Sequence, residues 1–281
     1  MRVDRTLTLL VAGTLRRNGK PGATLPILMY HSVSDDAERG TSPYYRVATS
    51  ARRFAEQMDW LKELGYVGRS IEESFDRTDS NGSGGKTVVL TFDDGFRDFY
   101  TTGWPILKQR GFSASVYLAT GFLDNPARRW RGKECLSWDH IRELRADGVR
   151  FGSHTVNHPK LVELGWDEVT TEIASSKKRI EEQLQEHITS FAYPYAFPRE
   201  RKLFVRRLEQ SLRDEGYRSC VTTVIGRGAL SGSDMFLRRI PVNDADDRPL
   251  FRAKMAGAYD WVGSGQLIWR RLKRTSVATT A

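Results

Sequence analysis

Two short segments decide how this sequence is interpreted: Thr91-Phe92-Asp93-Asp94-Gly95 and, farther along, His154-Thr155-Val156-Asn157-His158. The first places two adjacent carboxylates after an apolar run, and the second places two imidazoles four residues apart after another. Both apolar runs have the composition of buried strands. One carboxylate and two histidines, with a second carboxylate to spare, are the components of a metal site that activates water for hydrolysis.

Strands and helices are predicted to alternate along nearly the whole chain. Residues 25–31 and 87–92 are predicted strands, and apolar residues recur at helical spacing between 54 and 64, after Ser50. Such alternation favours a parallel sheet wrapped by helices, so the sequence predicts an α/β fold. About seven or eight strands are predicted, which is enough to close a barrel.

Five residues suited to metal binding or catalysis directly follow predicted strands: His31, Asp93, Asp94, His154 and Tyr195. In a parallel barrel the carboxyl ends of the strands meet at one face, and active sites form there. The sequence therefore predicts that these five residues lie on one rim.

The adjacent carboxylates of Asp93 and Asp94 can do different work, because neighbouring side chains at a strand end point to opposite faces. One can bind a metal while the other stays free as a base. The alternative is an ordinary Asp-Asp-Gly turn, which is common in loops. The residues alone leave both interpretations open.

The imidazoles of His154 and His158 share one face of a helical turn and can chelate one ion. With one aspartate they would make a site that leaves positions open for water and substrate. Zinc is the default metal, and nitrogen and oxygen ligands also accept cobalt, nickel or iron. The alternative is a pair of surface histidines near a turn.

Tyr195 follows Pro194, and a proline after a strand can expose the next backbone N–H to an oxyanion. The alternative is a strand-ending turn with aromatic packing. His31, taken alone, is more typical of a structural histidine behind a buried strand. Trp130, between arginines in a basic segment, is the best candidate for contact with a sugar ring.

The composition suits a soluble globular protein of 281 residues with a formal net charge of +9. That charge favours anionic partners or reflects a solvated surface, and no nucleic-acid-binding motif accompanies it, so nucleic acid is not expected. Two distant cysteines argue against a disulfide framework. No run reaches the roughly 18 apolar residues of a membrane span.

We expect three regions: an N-terminal extension over residues 1–24, one domain over 25–258, and a basic amphipathic tail over 259–281. The N-terminus is a poor signal peptide, which favours the cytoplasm and leaves export open. Aromatic residues beside a basic cluster in the tail suit peripheral contact with the inner membrane. The alternative is a packed or solvated terminal helix.

With the two opening segments and Tyr193-Pro194-Tyr195 in this order, the chain resembles the polysaccharide deacetylases, which carry the NodB-homology domain of carbohydrate esterase family four. The resemblance runs from about residue 25 to 242. It implies a distorted (β/α) barrel with about seven parallel strands. It also implies that Asp93 is the base, that the N–H of Tyr195 faces the oxyanion, and that a metal is held by three ligands, Asp94, His154 and His158.

Two positions depart from the common family pattern. Ala192 stands where many members have the arginine that orients the catalytic aspartate, and Arg239 is a candidate to replace it. The late Leu-x-His motif that supplies the general acid is absent. Residues 26–33 resemble the subgroup that contains poly-N-acetylglucosamine deacetylases, in which an early histidine takes the place of that acid. This resemblance makes His31 the candidate.

The sequence therefore predicts a metal-dependent hydrolase that removes N-acetyl groups from a glycan, such as an exopolysaccharide or a glycan intermediate, and releases acetate. An O-acetyl esterase or a small-molecule amidase would use the same site. A non-catalytic glycan-binding protein is a further alternative, which the complete set of Asp93, Asp94, His154 and His158 disfavours.

Overall fold

The computed structural model describes residues 2–15, 24–36, 38, 41–43, 45–78, 86–125, 128–228, 235–263 and 265–266. Its strands, in chain order, are β1 Ile27–Tyr30, β2 Ser32–Val33, β3 Ala48–Thr49, β4 Tyr66–Arg69, β5 Lys86–Phe92, β6 Ser115–Leu118, β7 Arg150–Ser153, β8 Ser190–Ala192, β9 Ser219–Ile225 and β10 Phe236–Pro241. Its α-helices are α1 Val3–Leu15, α2 Ala51–Glu63, α3 Ile71–Thr78, α4 Trp104–Lys108, α5 Trp138–Ala146, α6 Trp166–Leu184, α7 Lys202–Asp214 and α8 Arg248–Met255.

Seven parallel strands close into a ring in the order β1, β10, β9, β8, β7, β6, β5 and back to β1. The closing pair joins β1 to β5, with Leu28 opposite Leu90 and Tyr30 opposite Phe92. Strand β4 pairs with the first part of β5, outside the ring. The predicted distorted (β/α) barrel of about seven strands is confirmed.

The amino-terminal end of the barrel is closed by helix α3. Its Ile71 and Phe75 pack against the apolar side chains of the barrel interior. Its Glu72 accepts hydrogen bonds from Ser115 and Ser190, the first residues of β6 and β8, at 2.9 and 2.7 Å. Because this end is closed by side chains, the opposite rim is the open one.

Helix α1 packs on α8 through a partly buried network of charges. The Arg2 guanidinium lies 3.1 Å from Asp246, whose other oxygen lies 2.7 Å from the buried Lys254 ammonium. The Tyr259 hydroxyl donates to Asp4 at 2.8 Å. The first part of the predicted tail therefore packs on the domain, whereas its basic cluster, within 267–281, lies outside the described residues.

No helix among the described residues has both the length and the apolar character needed to span a bilayer. The two cysteines, Cys135 and Cys220, are both free thiols.

Gly152, in β7, leaves no room for a side chain two residues before His154. A Cβ added there would lie 2.5 Å from the Tyr117 ring and 2.6 Å from Ser190 Oγ. We expect Gly152→Ala to lower the free energy of unfolding by about 1–3 kcal/mol, because packed cores respond to extra methyl groups with strain. Chemical denaturation measures this.

The matched control is Gly265→Ala, because a Cβ at Gly265 meets no atom within 4 Å. Equal stability of the two variants would contradict the close packing of β7 against Tyr117 and Ser190.

Candidate active site

The open rim of the barrel collects the candidate residues on the segments that leave its strands. His31 follows β1, Asp93 and Asp94 follow β5, and His154 follows β7. Parallel strands carry all of these segments to the same face. The predicted clustering at one rim therefore matches the observed arrangement.

Asp94, His154 and His158 bring three potential ligand atoms together. The Asp94 Oδ1 atom lies 3.6 Å from Nε2 of His154 and 3.3 Å from Nε2 of His158. All three residues are buried, and their ligand atoms lie within 4.8 Å of one another. This donor set of one carboxylate and two imidazoles is one that divalent transition metals accept.

The buried atoms of this triad fit a cation. Asp94 Oδ1 has no hydrogen-bond donor among the described residues, although it is shielded from solvent. Nδ1 of His154 lies 2.7 Å from the Ala192 carbonyl, which holds the proton on Nδ1 and turns the Nε2 lone pair towards Asp94. Burial lowers the pKa of His158 to about 3, so its imidazole is neutral and able to ligate.

Asp93 is held by Arg239 in a two-pronged ion pair. The Nη1 and Nη2 atoms of Arg239 each lie 2.7 Å from a different oxygen of the Asp93 carboxylate. Both side chains are buried. Burial raises the pKa of the Asp93 carboxyl, but the neighbouring charges and hydrogen bonds, those of Arg239 foremost, together outweigh burial and lower it. Asp93 is therefore ionised and oriented at neutral pH.

The Arg239 side chain is itself held by two barrel strands. Its Nε donates to the Thr222 carbonyl of β9 at 3.0 Å, and its Nη1 donates to the Thr91 hydroxyl of β5 at 3.2 Å. The pairing of β9 with β10 is irregular here, since Leu237 faces Val221 but Arg239 faces Ile225. The irregularity makes the Thr222 carbonyl available to Arg239.

His31 lies on the other side of the Asp93 carboxylate. Its Nε2 is 3.9 Å from Asp93 Oδ2, which is longer than a hydrogen bond, and its side chain is 22% exposed. Burial lowers the pKa of His31, although the carboxylates of Asp94 and Asp93 oppose this. The His31 imidazole is therefore neutral. It lies beside Asp93 and is partly exposed at the rim.

Tyr195 brings its backbone to the same rim. Its ring packs edge-on against His158, with centroids 4.6 Å apart, and its carbonyl accepts a hydrogen bond from Thr223 at 2.8 Å. No acceptor for its N–H occurs among the residues that the structure describes. The amide is thus available to a ligand.

Four non-glycine residues around the site adopt left-handed backbone conformations: Asp94, Thr155, His158 and Tyr195, with φ between 52° and 73°. Such conformations cost free energy and persist where the surroundings impose them, often at functional sites. Strained turns therefore set the orientation of the candidate ligands and of the Tyr195 amide.

Two supporting residues, Glu172 and Arg128, were not predicted from the sequence. Glu172, on α6, accepts from the N–H groups of Val156 and Asn157 at 2.7 and 2.9 Å and so holds the turn between the two histidines. Arg128 donates to the side chain of Asn157 at 2.9 Å. No local pattern marks these residues, since each acts across a long sequence separation.

Trp130, the candidate for sugar contact, packs its indole on His158 with centroids 4.6 Å apart. The side chain is only partly exposed, and its Nε1 is buried without an acceptor among the described residues. Trp130 thus forms one wall of the metal-ligand cluster.

Comparisons with known proteins relate this chain to deacetylases. Residues 80–218 match the family profile described as polysaccharide deacetylase. The chain is 29% identical over 222 residues to YxkH of Bacillus subtilis (strain 168), named as a candidate polysaccharide deacetylase, covering 79% of this chain and 72% of that protein. It is 35% identical over 144 residues to the poly-beta-1,6-N-acetyl-D-glucosamine N-deacetylase of Escherichia coli (strain K12), covering 46% of this chain. The chain spans only 20% of the length of that relative.

Two solved structures share the fold over most of the chain. The Streptococcus pyogenes deacetylase PplD in complex with acetate is 28% identical with a TM-score of 0.71, covering 83% of this chain and 98% of its own. IcaB from Ammonifex degensii is 26% identical with a TM-score of 0.68, covering 85% and 98%. His31 and Arg239 lie outside the residues matched by the family profile.

Proposed function

This chain belongs to the polysaccharide deacetylase family, and we propose that it is a metal-dependent hydrolase that removes N-acetyl groups from a glycan and releases acetate. The observation that carries the proposal is the adjacency of the Asp94, His154 and His158 triad to the Asp93 carboxylate held by Arg239. An oriented, ionised base beside a cluster of metal ligands is suited to delivering water to a carbonyl carbon.

A divalent cation bound by the triad, most simply zinc, would supply a Lewis acid and lower the pKa of water. Asp93 accepts a proton from the attacking water. The N–H of Tyr195 donates a hydrogen bond to the oxyanion, and the loss of such a donor typically costs about 3–4 kcal/mol. Arg239 keeps Asp93 ionised and does not itself contact the substrate.

His31 gives a proton to the departing amine in this proposal. An amide requires such a proton, because a bare amide anion is too poor a leaving group. The neutral imidazole first gains a proton within the catalytic cycle, and Asp93, 3.9 Å away, is the nearest group to supply it. A lowered pKa makes the protonated His31 a stronger acid.

The proposed substrate is an N-acetylated oligo- or polysaccharide. Support comes from the N-acetylglucosamine polymer in the name of the Escherichia coli relative and from the deacetylase name of the Streptococcus pyogenes structure. The membrane contact expected of the tail and the cytoplasmic location stay predictions.

The direct test is acetate release from a panel of acetylated glycans. We expect release from at least one N-acetylated glycan, its loss after metal removal by a chelator, and its return with added zinc, because the triad holds the Lewis acid. Release from O-acetyl esters alone would favour an esterase. Absence of release from the whole panel, with metal bound, would contradict the proposal.

His31→Ala is expected to lower turnover of an N-acetyl substrate by about 10²–10⁴-fold, as for other lost acid catalysts. Turnover of an activated acetyl ester should fall far less, because its leaving group needs no proton. The control is His187→Ala, since His187 is 96% exposed and distant from the rim. Equal losses on amide and ester would show that His31 is not the acid.

A further inference from the structure

A pocket of about 250 Å³ lies beside the Tyr195 loop, on the outer side of β9 and β10. Phe197 and Phe236 form one wall, with ring centroids 4.7 Å apart. Arg199 and Arg238 also line the pocket. The pocket thus combines an apolar wall with two cationic groups, and the chemistry proposed above uses neither of them.

Arg199 and Arg238 have no ion-pair or hydrogen-bond partner among the residues that the structure describes. Glu209 also lines the pocket, but its carboxylate is engaged by Arg213 at 2.8 Å. Two guanidinium groups that line one pocket without an ion pair to any described residue leave a positive charge there.

The backbone makes room for this arrangement. Gly226 lies under Arg238, and a Cβ there would sit 3.3 Å from Arg238 Cδ, at a φ of +143° that side chains disfavour. Arg199 and Arg238 line the same pocket, and burial together with the charge of Arg238 lowers the pKa of Arg199. Such a pair is relieved when an anion binds between its members.

The pocket is connected to the catalytic rim through Thr223. Its hydroxyl donates to the Tyr195 carbonyl at 2.8 Å and accepts from the Phe197 N–H at 3.1 Å. Arg199 is four positions after Tyr195, so the two Cα atoms are at most about 14 Å apart. A polymer lying across the rim can therefore reach both places.

We propose that Arg199 and Arg238 form an anion-binding subsite for an acidic group carried by the glycan substrate, a carboxylate or a phosphate a few sugar units from the acetamide that is cleaved. This inference rests on the proposed function, and it narrows the substrate class to glycans that carry negative charge. The aromatic wall of Phe197 and Phe236 would contact the face of the sugar that bears the acid.

The test compares an N-acetylated tetrasaccharide that contains glucuronate with a neutral chitotetraose. Binding is measured by calorimetry, which requires no turnover, and KM is measured wherever acetate release occurs. For Arg199→Gln/Arg238→Gln we expect affinity for the acidic tetrasaccharide to fall about tenfold or more, because bonds between charged groups are lost. Affinity for chitotetraose should stay the same.

The matched control is Arg206→Gln, which removes one exposed charge from α7 outside the pocket and should change neither affinity. Equal losses for both sugars, or no loss, would overturn the subsite. Binding of inorganic phosphate at the two arginines without any preference for the acidic tetrasaccharide would also overturn it, because it would indicate a site for free anions. A failure of acetate release would count against the proposed function alone, since calorimetry tests the subsite separately.

Discussion

Replacing Asp93 with asparagine is expected to lower kcat/KM for acetate release by about 10²–10⁴-fold, the usual contribution of a general base. The amide cannot accept the proton of water, yet its oxygen can still accept one hydrogen bond from Arg239. The metal ligands Asp94, His154 and His158 are untouched. Metal content, measured by elemental analysis of the purified variant, should therefore equal that of the wild type.

Asp139→Asn is the matched control, because its side chain is 84% exposed on α5 and away from the rim. It should retain full turnover. Wild-type-like activity of Asp93→Asn would remove Asp93 as the base, and loss of metal from that variant would indicate that both aspartates are ligands.

Arg239→Met is expected to lower the free energy of unfolding by about 3–5 kcal/mol, because it leaves the buried Asp93 carboxylate without a counter-charge. Turnover should fall as well, since Asp93 loses its orientation and its pKa rises. Chemical denaturation and acetate release measure the two effects. Arg238→Met, at the preceding and exposed position of the same strand, should change stability by no more than about 0.5 kcal/mol.

The double variant Asp93→Asn/Arg239→Met distinguishes a charge effect from a packing effect. If the cost comes from an unpaired buried charge, neutralising Asp93 should restore part of the stability lost in Arg239→Met. A strictly additive loss of stability in the double variant would contradict this account.

The barrel and its rim followed from the sequence because buried parallel strands give unbroken apolar runs, and reactive side chains come directly after them. The run before Asp93 and the run at β1 both show this pattern. Helix α1 and strand β4 were missed for the opposite reason. Helix α1 carries exposed apolar residues, including Leu10, and Tyr66–Arg69 is a short strand interrupted by glycine.

The sequence predicted which residues form the site better than it predicted the contacts between them. Arg239 was proposed as a substitute for the arginine missing at Ala192, but its geometry depends on the irregular pairing of β9 with β10. The role of the Ala192 carbonyl in orienting His154 has no sequence signal, because every residue has a carbonyl. Backbone strain at Asp94 and Tyr195 likewise comes from tertiary packing.

The ion pair between Arg239 and Asp93 joins residues 146 positions apart, and this separation matters while the protein is being made. On a ribosome adding about 5–20 residues per second, Asp93 is synthesised roughly 7–30 s before the arginine that holds it. All three metal ligands precede Arg239 as well. A nascent chain can therefore contain every metal ligand and still lack an oriented base. The site becomes competent for catalysis in one late step, when the last strand closes the ring.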